Sequence, residues 1–246
     1  MNMKSVFISL GLLSVGTGFA VQTGGPWEGP ASKRQGLTTY SGTVPGWTGG
    51  AQDVGLVGED TDRLITGNLK ADGAFTLSFL RDTPLLEEYA IPLVLSVPYK
   101  DLCMYDECKV KISDPDALWI RLREFGPIVN GEHNQWSFLN GEDVKTPPPL
   151  NLFKTSRVRQ FVYSSVPVDV EGHVMAKGSL LIPKLTLTYD LHLPAGWSFI
   201  EEESDRIFDA KGEILETRRV IRSVAPPQGA WVALEAPAEE ESGEEE

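Results

Sequence analysis

The chain has 246 residues, with 35 acidic against 22 basic side chains and a formal charge of −13. That balance argues against a nucleic-acid partner, because neutralising phosphates requires a basic face, and against an electrostatic hold on anionic lipid. The length admits one large β domain or two smaller ones, and an apolar fraction of 41% with six Trp is enough for a real core.

At the N-terminus, Lys4 precedes the apolar stretch Val6 to Leu13, and Gly18-Phe19-Ala20 places small residues at cleavage positions. The expectation is a signal peptide over 1–20, since the apolar run is shorter than the roughly 20 residues a membrane span needs. No later segment is apolar enough over that length, and no Cys follows the run to carry a lipid. The mature chain is therefore expected to begin at Val21 and to be exported, to the periplasm of a bacterium or beyond it. Residues 21–36 are rich in Gly, Pro and polar side chains and read as a flexible linker containing Trp27.

Residues 37–143 read as an N-terminal β-sandwich. Short strands are expected at Tyr40 to Val44, Asp53 to Val57, Leu64 to Leu69 and Phe75 to Leu80, divided by Gly49-Gly50 and Asp72-Gly73. Gly42-Thr43-Val44, followed later by Thr66 to Leu77 (TGNLKADGAFTL), resembles the carboxypeptidase-regulatory or transthyretin-like modules, in which an Asp-Gly turn leads into an F-x-L strand. The resemblance implies an Ig-like module acting as a structural or binding appendage with no catalytic residue. The chain departs from that pattern at Thr83-Pro84-Leu85-Leu86-Glu87-Glu88, where a capping Thr and a Pro at the first helical position predict one helical turn.

Ile91 to Val97 is a dense apolar run suited to a central strand. Cys103 and Cys108 precede a strand from Lys109 to Ile112, and in an exported protein they are expected to pair as a disulfide. So small a loop gains about 2 kcal/mol. The competing metal site lacks a second Cys pair or a nearby His. Strands are also expected over Trp119 to Phe125 and Gln135 to Leu139. Thr146-Pro147-Pro148-Pro149 excludes helix and central strand alike, and marks either a boundary or a long surface loop.

Residues 144–234 read as an antiparallel β meander, with turns at Glu171-Gly172, Ala195-Gly196 and Lys211-Gly212. The clearest strand is Leu185 to Leu193, where Leu185, Leu187, Tyr189, Leu191 and Leu193 alternate with Thr186, Thr188, Asp190 and His192. Pro194-Ala195-Gly196 predicts a turn into a returning strand from Trp197 to Ile200. Ile214 to Val224 and Trp231 to Leu234 complete the set. Residues 235–246 form an acidic tail expected to be disordered.

Chemistry-bearing motifs are sparse. Gly196-Trp197-Ser198 lacks the second Gly of a nucleophile elbow. His133 reads as a loop residue, and no histidine lies in an H-E-x-x-H arrangement. His192 alternates with Asp190 on the polar side of its strand and reads as an ordinary strand residue. Glu59 to Asp62 and Asp114-Pro115-Asp116 set carboxylates in loops, as Ca²⁺ prefers, but neither has EF-hand spacing, and turn or cap roles suit them better. Lys154, Arg157 and Arg159 on one strand and Arg218, Arg219 and Arg222 on another would make a positive face if those strands paired, for an acidic partner or the chain's own tail. Solubility and edge protection explain them more simply.

The fold expected is therefore all-β, an Ig-like or transthyretin-like β-sandwich followed by an antiparallel β meander. The function expected is a non-catalytic, exported binding or scaffolding protein of the cell envelope, without cofactor, metal or membrane span, whose partner is an envelope protein or a polysaccharide. The alternatives are a secreted hydrolase using carboxylates that no motif identifies, or a small-ligand carrier with a cavity lined by residues such as Trp119, Trp136 and Trp197.

Overall fold

The computed structural model describes residues 30–57, 63–81, 83–98, 105–129, 132–133, 136–145, 153–177, 184–228 and 231–235. The expected signal peptide, Trp27, Glu59 to Asp62, Cys103, the Pro147 to Pro149 run and most of the acidic tail lie outside them.

The fold is all-β, as expected. The first four strands, β1 (Thr39–Thr43), β2 (Gln52–Val57), β3 (Arg63–Leu69) and β4 (Ala74–Phe79), form a sheet in the order β1-β4-β3-β2. Their buried positions alternate, with Phe75, Leu77 and Phe79 turned inward on β4. The β3–β4 turn uses Gly73 at φ +84°, a conformation open to Gly because it has no Cβ.

The chain then forms α1 (Thr83–Tyr89), longer than the single turn expected, the two-residue β5 (Ile91–Pro92) and α2 (Leu93–Ser96). The central strand expected over Ile91 to Val97 is thus mostly a helical turn. A short apolar run does not distinguish the two states, and Leu93 and Val97 reach the core equally well one helical turn apart. Next come β6 (Glu107–Ile112), β7 (Leu118–Leu122) and β8 (Glu124–Val129). The single strand expected over Trp119 to Phe125 breaks at Arg123, because β7 pairs with a long strand of the second sheet while β8 pairs with β2.

After β9 (Glu132–His133), the long strands are β10 (Trp136–Lys145), β11 (Phe153–Ser164), β12 (Val168–Lys177), β13 (Lys184–Leu193), β14 (Gly196–Phe208) and β15 (Ile214–Val224), followed by the short β16 (Val232–Glu235). Strand order continues β2-β8-β10-β11-β14-β15-β13-β12-β6. β10 pairs with β8 and β16 through Phe138 and Leu139, then with β11 from Asn140 onward, and so links the two sheets.

Three expectations about the second half are corrected. The meander is not wholly antiparallel, because β13 and β15 run parallel from Leu185↔Thr217 to Asp190↔Arg222. Pro194-Ala195-Gly196 does break the chain, but β14 does not return beside β13, since β15 lies between them. Glu171-Gly172 is no turn; both residues sit within β12, paired to β13 on one side and β6 on the other. A Cβ on Gly172 would lie 1.8 Å from the Lys109 carbonyl oxygen, so Gly is there for the close approach of β6.

The sheet of long strands is buried on both faces where the end of β11 pairs with the start of β14. Phe161 and Tyr163 with Trp197 and Phe199 face the first core cluster, which they share with Tyr40, Phe75, Phe79, Phe125 and Trp231. Phe161 stacks on Trp231 at 5.3 Å and Trp197 on Phe79 at 5.4 Å. Val162 and Ile200 face the second cluster, with Trp119, Val168, Val170, Tyr189, Leu191, Leu193, Ile221 and the α2 residues Leu93 and Val97. Residues from seven successive strands of one sheet face share this cluster, so the sheet curls around it. The first cluster draws on both sides of the Pro147 to Pro149 segment, and β10 and β11 pair across it.

Candidate functional site

The outer face of the β1–β4 sheet is the most unusual surface. While Tyr40, Val54, Leu77 and Phe75 point inward, register places two polar rows outward. One runs Thr39, Ser78, Thr66, Gly55 across the four strands; the other runs Ser41, Thr76, Asn68, Asp53. Seven side chains carry five hydroxyls, one amide and a single charge. Solvent faces of sheets near an edge usually carry Lys or Glu to discourage pairing with other chains; these rows hold neither. The Ser41 and Thr76 hydroxyls lie 3.1 Å apart and share a hydrogen bond. A shallow depression of about 300 Å³ lies over Asp53, Thr66, Asn68, Thr76 and Ser78. By strand geometry the rows are about 7 Å apart, with roughly 4.8 Å between neighbours across the strands. Such a lattice of donors and acceptors suits a flat, hydroxylated ligand. Asp53 is its one charged group, and none of the seven side chains is aromatic.

The arginines singled out from sequence do not gather on paired strands. β14 lies between β11 and β15 and carries an acidic run that meets them. Glu201, nearly buried, accepts from Arg159 Nε at 2.9 Å and Arg222 Nη2 at 2.6 Å, with Arg157 Nε 3.6 Å away. Glu203 accepts from Arg222 Nη2 at 3.0 Å and Arg157 Nη2 at 3.5 Å. On the opposite face of β14, Glu202 accepts from Arg121 Nη2 at 3.1 Å, with Arg219 and Arg123 at 3.7 and 3.9 Å. Where pairing of those two strands would have made a positive face, β14 between them makes an ion-pair ladder across three strands. Arg218, exposed, pairs with Glu216 on its own strand. Sequence reasoning ended the strand at Ile200 and missed Glu201 to Asp205. The spacing of Arg157 with Arg159, and of Arg218 with Arg222, was the available signal for complementary acids on a strand between them.

His192 is half-buried and held between two carboxylates, Nδ1 2.7 Å from Asp169 Oδ1 and Nε2 3.1 Å from Asp190 Oδ1. Both ring nitrogens are thus occupied, leaving neither to activate a nucleophile. Asp169 Oδ1 also accepts from the Ala31 amide at 3.0 Å, and Arg34 donates to the His192 carbonyl at 3.0 Å. The cluster fastens residues 31–34 to β12 and β13.

Ser198 is buried inside β14, not at a strand-to-helix turn. Asp114 Oδ1 accepts the Asp116 amide at 3.1 Å, a turn role, and no group of His, Cys, Asp and Glu able to hold a metal occurs among the described residues. His133 lies in β9. Trp197 lines a depression of about 320 Å³ with Leu37, Leu80, Leu86 and Tyr163, but Trp119 belongs to the other core cluster. Those two tryptophans do not share a cavity, and the Trp136 side chain lies outside the description. Cys108 lies half-buried in β6; its expected partner Cys103 falls outside the described residues.

No family model, no curated protein and no solved structure matches this chain.

Proposed function

We propose that this is a non-catalytic, exported binding protein of the cell envelope that holds a neutral, hydroxyl-rich polysaccharide against the outer face of the β1–β4 sheet. The observation that carries the reading is the pair of outward rows, Thr39-Ser78-Thr66 and Ser41-Thr76-Asn68-Asp53, on a chain whose formal charge is −13. Hydroxyl and amide groups at strand spacing exchange hydrogen bonds with sugar hydroxyls, each worth about 1 kcal/mol net. Without an aromatic platform each contact is weak, and a polymer that engages several copies gains by multivalency. The signal peptide, the Cys103–Cys108 bridge and the resemblance to transthyretin-like appendages belong to the same proposal. Each fits an exported protein that presents a rigid sheet.

The test is co-sedimentation of the Val21–Glu246 form with insoluble envelope polysaccharide from its host. Thr66→Val, Thr76→Val and Ser78→Ala, combined, remove three hydroxyls with little change of shape. Retention is expected to fall at least tenfold while the thermal transition stays in place. Equal retention of the triple variant would sink the assignment to this face. Capture of an envelope protein in place of glycan would replace the polysaccharide with a protein partner.

A further inference from the structure

The Glu202 side of β14 carries more positive charge than it can neutralise. Three guanidiniums, those of Arg121, Arg123 and Arg219, converge within 4 Å of one carboxylate, which among the described residues leaves two positive charges in excess. Arg123 and Arg219 keep 64% and 42% of their side-chain surface exposed, whereas Glu202 keeps 14%, so the carboxylate is covered and the cations face outward. Arg219 Nε is buried without a hydrogen-bond partner among the described residues, as is Ser204 Oγ directly across the strand pair. On the other face of the same strand, Glu201 and Glu203 share three arginines. With three guanidiniums to two carboxylates there and three to one here, the larger deficit of carboxylate belongs to the Glu202 side.

The sequence carries carboxylates within reach of this side. β16 ends at Glu235, opposite Trp136, and three residues along β10 Leu139 lies opposite both Val232 and Glu124, next to Arg123. At about 3.3 Å per residue along a strand and about 5 Å between strands, Glu235 is roughly 20 Å from Arg123 along that path. Residues 236–246 follow, with six Glu between Glu239 and Glu246. An unstructured segment of that length has an r.m.s. span of about 18 Å and a limit near 36 Å. A tether whose r.m.s. span matches the gap gives the highest effective concentration, in the millimolar range.

We infer that the acidic C-terminal tail docks on the arginine cluster of Arg121, Arg123 and Arg219, where Glu239 to Glu246 supply the carboxylates that Glu202 alone does not. The contact neutralises the one cationic patch of this kind among the described residues. It thereby closes the patch to external polyanions. It is independent of the polysaccharide reading, since the outer β1–β4 face contributes nothing to it.

The experiment compares the full mature chain with a form truncated after Glu235, reading the side-chain Nε–Hε resonances of the arginines by NMR. Truncation is expected to shift Arg123 and Arg219, and 0.5 M salt should abolish most of the difference, because exposed charge pairs are strongly screened. The full chain carrying Arg123→Gln and Arg219→Gln should show tail backbone resonances like those of a synthetic peptide spanning 236–246 free in solution, with the fold checked by the backbone spectrum of β14. Identical arginine resonances in the full and truncated chains would overturn the inference. So would tail resonances unmoved by the double substitution, which would place the tail elsewhere. Inorganic tripolyphosphate should bind the truncated form at least tenfold more tightly than the full chain; equal binding also counts against the docked tail.

Discussion

The two halves of β14 differ more than its two faces do. From Trp197 to Ile200 the strand is buried on both sides, Trp197 and Phe199 against the first cluster and Ile200 against the second. From Glu201 to Asp205 it is charged on both sides, Glu201, Glu203 and Asp205 meeting one set of partners and Glu202 another. A strand with one buried face alternates; this one switches along its length, from apolar to charged, between Ile200 and Glu201. The first half is held by apolar burial, which needs no particular partner. The second is held by ion pairs, which depend on the neighbours' register. Charges removed from water need partners close by, and the glutamates of β14 supply them to arginines on both sides, though fewer in number than the arginines they hold.

The largest effect should come from the apolar half. Phe199 is fully buried, with ring centroids 4.7 Å from Phe161 and 5.0 Å from Tyr40. Phe199→Ala deletes the ring and leaves a cavity, a change that costs about 3–5 kcal/mol. Chemical denaturation should show the midpoint fall accordingly. A loss near 1 kcal/mol would mean that the two sheets do not depend on one another. Next comes Glu201→Gln, which keeps the shape but leaves Arg157 and Arg222 sharing Glu203 and Arg159 with only the Asn140 side-chain oxygen. Glu201 is 4% exposed, so removing its charge is expected to cost about 3 kcal/mol. If Glu201→Gln proves harmless while Phe199→Ala does not, the charged half is a solvated extension and the contrast between the halves is one of burial alone.

Much of the fold was legible because alternation reports burial directly. Leu185 to Leu193 gave β13, with Tyr189, Leu191 and Leu193 buried, and β15 spans the residues read from sequence. Strand order was not legible. Neighbours in sequence are assumed to pair, yet Pro194 and Gly196 lead to a strand two places away, and nothing in a single strand's alternation names its partner. Gly172 read as a turn residue because Gly has two uses, and only the proximity of Lys109 shows which applies. The acidic run of β14 lacked apolar alternation, and its charges are met by arginines 17 to 81 residues away. The rows of the candidate site were present as Ser41, Thr66, Asn68, Thr76 and Ser78, each at an outward position of its strand. Their alignment required the register of four strands.

The smallest expected effect tests the far end of the charged half. Glu216, on β15 opposite Ile207, is held below its ordinary pKa of 4.5, first by the hydrogen bond from Arg218 and then by that from Lys184. A depressed carboxylate stabilises the fold fully above its unfolded pKa, and that contribution is lost as pH falls through the lower folded value. Arg218 and Lys184 are half exposed, at 56% and 51%, so solvent screening limits the contribution to a few tenths of a kcal/mol, roughly. Glu216→Gln should therefore leave stability almost unchanged at pH 7 and make the acid limb below pH 4.5 slightly shallower. Denaturation midpoints compared between pH 3 and pH 7 would show it, as would their sensitivity to salt. A loss as large as that expected for Glu201→Gln would mean that the end of the ladder is as tightly coupled as its middle, and that position along β14 does not set how strongly its charges are held.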